Sequence, residues 1–143
     1  MAHPSAAGYD PAVATILVLE DDGDAAEPMV KALQKVGHRA MWVPDGHDAL
    51  AVLVLGGVDL LLTDLSVPQM DGVTLLEALR AHSRFQSLPV IVFSAYAEGR
   101  NAERLRDLGV SDVFVKGTDG PSDVLRAVER HLGVPPRPEA ANN

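Results

Sequence analysis

The chain is predicted to fold as an α/β domain built on one doubly wound parallel sheet. Three observations carry this. Five short apolar runs are spread along the sequence, a segment with apolar residues at helical spacing follows each run, and Gly, Pro or Asp marks most junctions. Strict alternation of this kind gives parallel strands joined by right-handed crossovers, with helices on both faces. The foldable stretch is residues 13–133. Residues 1–12 and the proline-rich residues 134–143 are expected as poorly ordered ends.

Residues 13–19 (VATILVL) read as a buried first strand that ends in Glu20, Asp21 and Asp22. Asp24 is expected to cap the next helix, with Glu27 closing a capping box and Pro28 tolerated in the first turn. Met29, Leu33 and Val36 recur at helical spacing along that helix, and Gly37 is expected to cap its end. Residues 38–43 (HRAMWV) form a less apolar strand suited to a sheet edge, with Met41 and Trp42 as packing residues. Pro44, Asp45 and Gly46 make a turn before a short helix over 48–55.

Residues 58–63 (VDLLLT) read as a fully buried central strand, with Asp64 at its C-terminal end and a loop containing Pro68, Asp71 and Gly72 beyond. A helix over 73–84 carries Val73, Leu76 and Leu79 on one face. Residues 89–93 (PVIVF) are a buried strand ending at Ser94, and 100–108 form a polar helix stopped by Gly109. Residues 112–115 (DVFV) are the last strand, ending at Lys116. The helix over 122–132 turns Val124, Leu125, Val128 and Leu132 inward.

Composition narrows the function. The chain has 143 residues, enough for one domain that buries roughly two-thirds of its unfolded surface. It has no cysteine, which excludes disulfides, thiolate metal sites and a cysteine nucleophile, and fits a reducing, cytoplasmic setting. A net charge of −8 argues against direct binding to nucleic acid or to anionic lipid. No apolar run nears the roughly 20 residues a membrane helix needs, and the N-terminus shows no export signal.

Residues that end strands form the strongest signal. They are Glu20, Asp21 and Asp22 after the first, Asp64 after the third, Ser94 after the fourth and Lys116 after the fifth. Ligands of parallel α/β sheets gather at this edge. Crowded carboxylates favour raised pKa values or a bound cation, and oxygen-only donors suit Mg²⁺. A carboxylate nucleophile, a divalent metal, a hydroxyl and a lysine together describe phosphoryl transfer to an aspartate.

The motifs ILVLEDD (16–22), TDLSVPQMDG (63–72), VIVFSA (90–95) and FVK (114–116) resemble those of a two-component response-regulator receiver domain. The resemblance implies a flavodoxin-like (βα)5 fold with strand order 2-1-3-4-5. It makes Asp64 the phosphoacceptor, Ser94 the switch hydroxyl and Lys116 the phosphate-binding lysine. It makes Asp21 a direct ligand of Mg²⁺ (or Mn²⁺ in its place), Glu20 a ligand through water, and the Ser66 carbonyl a further ligand. A sensor histidine kinase or histidine phosphotransfer protein would be the phosphodonor. A downstream protein would dock on the face of helix 4, strand 5 and helix 5. The implied role is a signalling module, free-standing or cut from a longer protein, that catalyses only its own phosphorylation and dephosphorylation.

Three positions depart from the family pattern. Gly117 follows the lysine in place of proline, Val113 stands where the switch aromatic belongs, and Val67 precedes Pro68. Two rival classes set the alternatives. One is a phosphorylation-independent pseudo-receiver that only binds partners. The other is a haloacid-dehalogenase-like phosphatase, whose D-x-D motif Asp22-Gly23-Asp24 imitates. That fold needs its nucleophile directly after the first strand and usually a cap region. Plain readings accompany the rest: Asp22 as a solvated bystander, the Arg100, Arg104 and Arg106 group as a solvated helix face, and the five histidines without a role.

Overall fold

The computed structural model describes residues 13–133. The expectations for 1–12 and 134–143 lie outside these residues. Five strands alternate with five helices: β1 (Thr15–Leu19), α1 (Gly23–Lys35), β2 (Arg39–Val43), α2 (Gly46–Leu55), β3 (Leu60–Thr63), α3 (Gly72–Arg80), β4 (Val90–Ser94), α4 (Arg100–Asp107), β5 (Asp112–Val115) and α5 (Pro121–Leu132). All neighbours pair in parallel in the order β2-β1-β3-β4-β5, as the resemblance implies.

Alternation along the strands divides the core. Leu17, Leu19, Leu61, Val90 and Val92 face one way and pack with Ala49 and Leu53 of α2, Leu75, Leu76 and Leu79 of α3, and Leu105 of α4. Ile16, Val18, Leu60, Leu62 and Ile91 face the other way, against Met29 and Leu33 of α1 and Val124, Ala127 and Val128 of α5. The result is three layers, with β1, β3 and β4 buried on both faces and β2 and β5 at the edges.

Several boundaries differ from the sequence reading. The first helix is capped by Asp22, whose side chain accepts from the Asp24 N–H at 2.9 Å, so Asp22 is not a bystander. Glu27 pairs with Lys31 four residues on instead of closing a capping box. Because α1 starts early, Pro28 falls in its second turn, where it cannot donate to the exposed Asp24 carbonyl. Val36 is the C-cap and is exposed rather than inward.

The third helix ends at Arg80, and a separate 3-10 turn, Ser83–Phe85, follows. Arg80 explains the break. Its guanidinium donates to the carbonyls of Phe85 at 2.6 Å, Leu108 at 2.7 Å and Leu88 at 2.9 Å, tying the approach to β4 to the end of α4. One planar cation satisfies carbonyls that helix ends leave without donors.

Candidate functional site

The C-terminal edge of the sheet brings Glu20, Asp64, Ser94 and Lys116 into direct contact. Asp64 is placed by the β1–β3 ladder, its backbone N–H donating to the Leu19 carbonyl at 2.9 Å. Its carboxylate is only 8% exposed. Oδ1 accepts from the Ser94 hydroxyl at 2.6 Å and from the Ser66 backbone N–H at 3.0 Å, while Oδ2 accepts from Lys116 Nζ at 2.8 Å. The loop beyond is drawn in tightly: a Cβ on Gly72 would stand 2.5 Å from the Asp64 carbonyl oxygen, so only glycine fits there.

Lys116 bridges two carboxylates, since Nζ also contacts Glu20 Oε1. Glu20 is 7% exposed, and its Oε2 accepts from the Asp22 N–H at 3.2 Å. Burial raises the pKa of Glu20, with the Asp64 charge adding to it, and the Lys116 bond only partly opposes this. Burial also pushes Asp64 upward, but Lys116, Ser94 and the Ser66 N–H together outweigh it and hold its carboxyl below the usual range. Burial pushes Lys116 down, yet its two carboxylate partners more than reverse this and raise its pKa. Asp64 and Lys116 are therefore a charged pair at neutral pH.

Of the other expected residues, Ser66 reaches this pair through its backbone N–H. Asp21 and Ser66 are exposed. Among the described residues no group of three His, Asp or Glu side chains stands ready as a metal cage. The donors nonetheless fit a hard divalent cation. The acceptors clustered at this edge are oxygens, and the Lys116 ammonium already stands as positive charge between Glu20 and Asp64. A cavity of about 310 Å³ opens alongside, lined mainly by apolar residues such as Val18, Met29, Leu62 and Phe93.

Two residues here escaped the sequence reading. Asp119 accepts from the Val115 N–H at 2.8 Å and clasps the turn after Lys116, where Gly117 takes φ +92°. The signal was an Asp four residues beyond an edge-strand residue, too common to single out. Trp42 is about half exposed rather than packed away, and its indole N–H donates to the Glu20 carbonyl at 2.6 Å. Val113 lies partly exposed on β5, while Phe114 packs on the opposite face with Phe93.

Comparison with known proteins agrees with this geometry. The family model for the response regulator receiver domain matches residues 16–129. The chain is 30% identical over 122 residues to an uncharacterized 14.6 kDa protein of Leptolyngbya boryana, covering 85% of this chain and 92% of that one. It spans 43% of the sensory transduction protein RegX3 of Mycolicibacterium smegmatis, at 35% identity over 102 residues and 71% of this chain. Among solved structures, the receiver domain of a signal transduction histidine kinase from Syntrophus aciditrophicus superposes with TM-score 0.76 at 28% identity, covering 84% of this chain and 90% of that one. The receiver domain of the sensor histidine kinase PA1611 from Pseudomonas aeruginosa, solved with magnesium in its active-site cleft, superposes with TM-score 0.72 at 25% identity, covering 85% and 98%. No described helix is long and apolar enough to cross a membrane. With its fold, its strand-edge cluster and the match over 16–129 in agreement, the chain belongs to the response regulator receiver domain family of two-component signalling.

Proposed function

We propose that Asp64 accepts a phosphoryl group from a phosphohistidine on a sensor histidine kinase or histidine phosphotransfer protein, and that the aspartyl phosphate controls docking of a downstream protein. The observation that carries this reading is the convergence of Lys116, Ser94 and the Ser66 N–H on one buried carboxylate. A depressed pKa keeps Asp64 ionised, as a nucleophile must be. In an in-line transfer one Asp64 oxygen bonds to phosphorus as the phosphorus–nitrogen bond breaks, and the imidazole leaves with the electron pair.

Asp21, Asp64 and the Ser66 carbonyl would hold Mg²⁺, or Mn²⁺ in its place, with Glu20 joining through water. When bound, the metal neutralises charge on the transferring phosphoryl oxygens. Lys116 stays with Asp64 and pairs with the phosphoryl group, which adds about −1.5 to −2 charge to an acidic pocket. Ser94 leaves Oδ1 for a phosphoryl oxygen. Its Oγ also accepts from the Tyr96 N–H at 3.2 Å, so the loop after β4 follows. The face of α4, β5 and α5 then repacks for its partner, with Val113 giving a smaller response than an aromatic side chain.

The test is phosphotransfer from an autophosphorylated histidine kinase or a phosphorylated histidine phosphotransfer domain. Label should move to the wild type in the presence of Mg²⁺ and not to Asp64→Asn. Equal labelling of that variant would place the acceptor elsewhere.

A further inference from the structure

The sole tryptophan of the chain stands at the edge of the sheet, beside the acidic turn. Two contacts define it. Its indole N–H donates to the Glu20 carbonyl at 2.6 Å, and its ring edge lies against Gly23, where a Cβ would stand 3.3 Å from Trp42 Cη2. One side chain thus touches both ends of the segment 20–23.

The ladder explains why an indole is needed. The β1–β2 ladder runs one residue past β1, with the Glu20 N–H donating to the Val43 carbonyl at 3.1 Å. In a parallel ladder the Glu20 carbonyl would next accept from the N–H of residue 45. Pro44 turns the chain away, and Asp45 is already the N-cap of α2. The Trp42 indole takes the vacant donor position. The turn is also held from within, by Asp22 N–H to Glu20 Oε2 and by the Asp22 cap on Asp24. Asp21 is the exposed residue between these anchors.

We infer that Trp42 is a positioning residue for the cation site: it fixes the 20–23 turn so that the Asp21 carboxylate is held ready for a divalent metal. The inference rests on the function proposed above. A chelating carboxylate on a turn that must first be ordered binds more weakly by the cost of that ordering, and a fixed turn avoids it. Phenylalanine at this position has no N–H and a shorter ring, so it removes the hydrogen bond and loosens the contact with Gly23. About 1 to 1.5 kcal/mol for one such bond corresponds to a roughly 5- to 10-fold change in affinity.

The experiment is calorimetric titration of the full chain with MgCl₂ in the absence of any phosphodonor, for wild type, Trp42→Phe and Asp21→Asn, with thermal unfolding in EDTA alongside. Trp42→Phe is expected to bind Mg²⁺ roughly 5- to 10-fold more weakly than wild type, and Asp21→Asn to lose measurable binding. Indole emission of the wild type is expected to change on saturation with Mg²⁺, in step with the calorimetric curve, and to stay constant in Asp21→Asn. Affinity in Trp42→Phe within twofold of wild type would overturn the role of Trp42 while leaving the cation site standing. Wild type that binds no Mg²⁺, or Asp21→Asn that binds like wild type, would overturn the cation site and this role with it. Should Trp42→Phe fold poorly, the wild-type emission decides alone: calorimetric binding with no change in emission overturns the inference.

Discussion

The Ser94 hydroxyl donates to Asp64 Oδ1 at 2.6 Å, across 30 residues of chain and with both side chains buried. The Ser94 oxygen in turn accepts from the Tyr96 N–H, so a single hydroxyl links the Asp64 carboxylate to the loop that leads to α4. Ser94→Ala removes that link but leaves Lys116 and the Ser66 N–H on Asp64. Phosphorylation of Ser94→Ala by acetyl phosphate is expected to reach a yield within about fivefold of wild type, since one of three donors is worth about 1 kcal/mol. Hydrogen exchange in the loop and α4 should no longer respond to phosphorylation. A wild-type-like exchange response in the variant would remove Ser94 from the switch.

On the proposed function, Lys116 and a divalent metal compete for Glu20. Lys116→Ala leaves two buried carboxylates without their cation, so the metal-free variant is expected to lose about 1–3 kcal/mol of stability in urea unfolding. Added Mg²⁺ should then stabilise the variant more than it stabilises wild type. In wild type the metal must displace the ammonium from Glu20. At ten times its dissociation constant, a ligand specific for the folded state adds about 1.4 kcal/mol. Equal stabilisation of both proteins by saturating Mg²⁺ would show that metal and lysine do not share Glu20.

Asp119 clasps the turn after Lys116, where Gly117 follows the lysine. Its bond to the Val115 N–H holds the start of the Lys116–Gly120 turn. Asp119→Ala is expected to cost about 1 kcal/mol of stability and to slow acetyl phosphate labelling several-fold through a less well placed Lys116. Asp119→Asn, which keeps an acceptor oxygen, should recover most of the rate. No rescue by asparagine would assign Asp119 a purely electrostatic role.

His38 gives the fold a defined pH dependence. It is 5% exposed, and neither ring nitrogen has a hydrogen-bond partner among the described residues. Burial lowers its pKa, and the Glu129 charge only partly opposes this. The unfolded chain therefore takes up a proton near the ordinary histidine pKa of about 6.5 while the folded chain does not, so stability falls as pH drops below that value. Melting temperature is expected to fall more between pH 7.5 and 5.5 in wild type than in His38→Leu. Glu20, whose folded pKa is raised, works in the opposite direction in both proteins, so the difference between them belongs to His38. Parallel curves would show that His38 takes up its proton over the same pH range in the folded and unfolded chain.

Much of this was legible in the sequence because the strongest signals are local. Buried parallel strands read as unbroken apolar runs, and the run before Asp64 fixed both the strand and the register of its end. Glu20, Ser94 and Lys116 followed because residues that end neighbouring parallel strands share one edge. What was missed depends on geometry between distant segments. Arg80 ends α3 by reaching carbonyls up to 29 residues away, which no helical periodicity records. Asp22 and Asp24 are equally good caps by composition, and only the turn pinned by Glu20 and Trp42 decides between them. Trp42 looked like packing because its N–H partner is a backbone carbonyl, and backbone carries no sequence signal.

The most direct test of the central claim is the intact mass of the protein after incubation with acetyl phosphate and Mg²⁺, with Asp64→Asn beside it. One phosphoryl adduct is expected on wild type, none on Asp64→Asn, and none on wild type when EDTA replaces Mg²⁺. An adduct of equal yield on Asp64→Asn, or wild type left unmodified by both acetyl phosphate and a phosphorylated kinase, would contradict it.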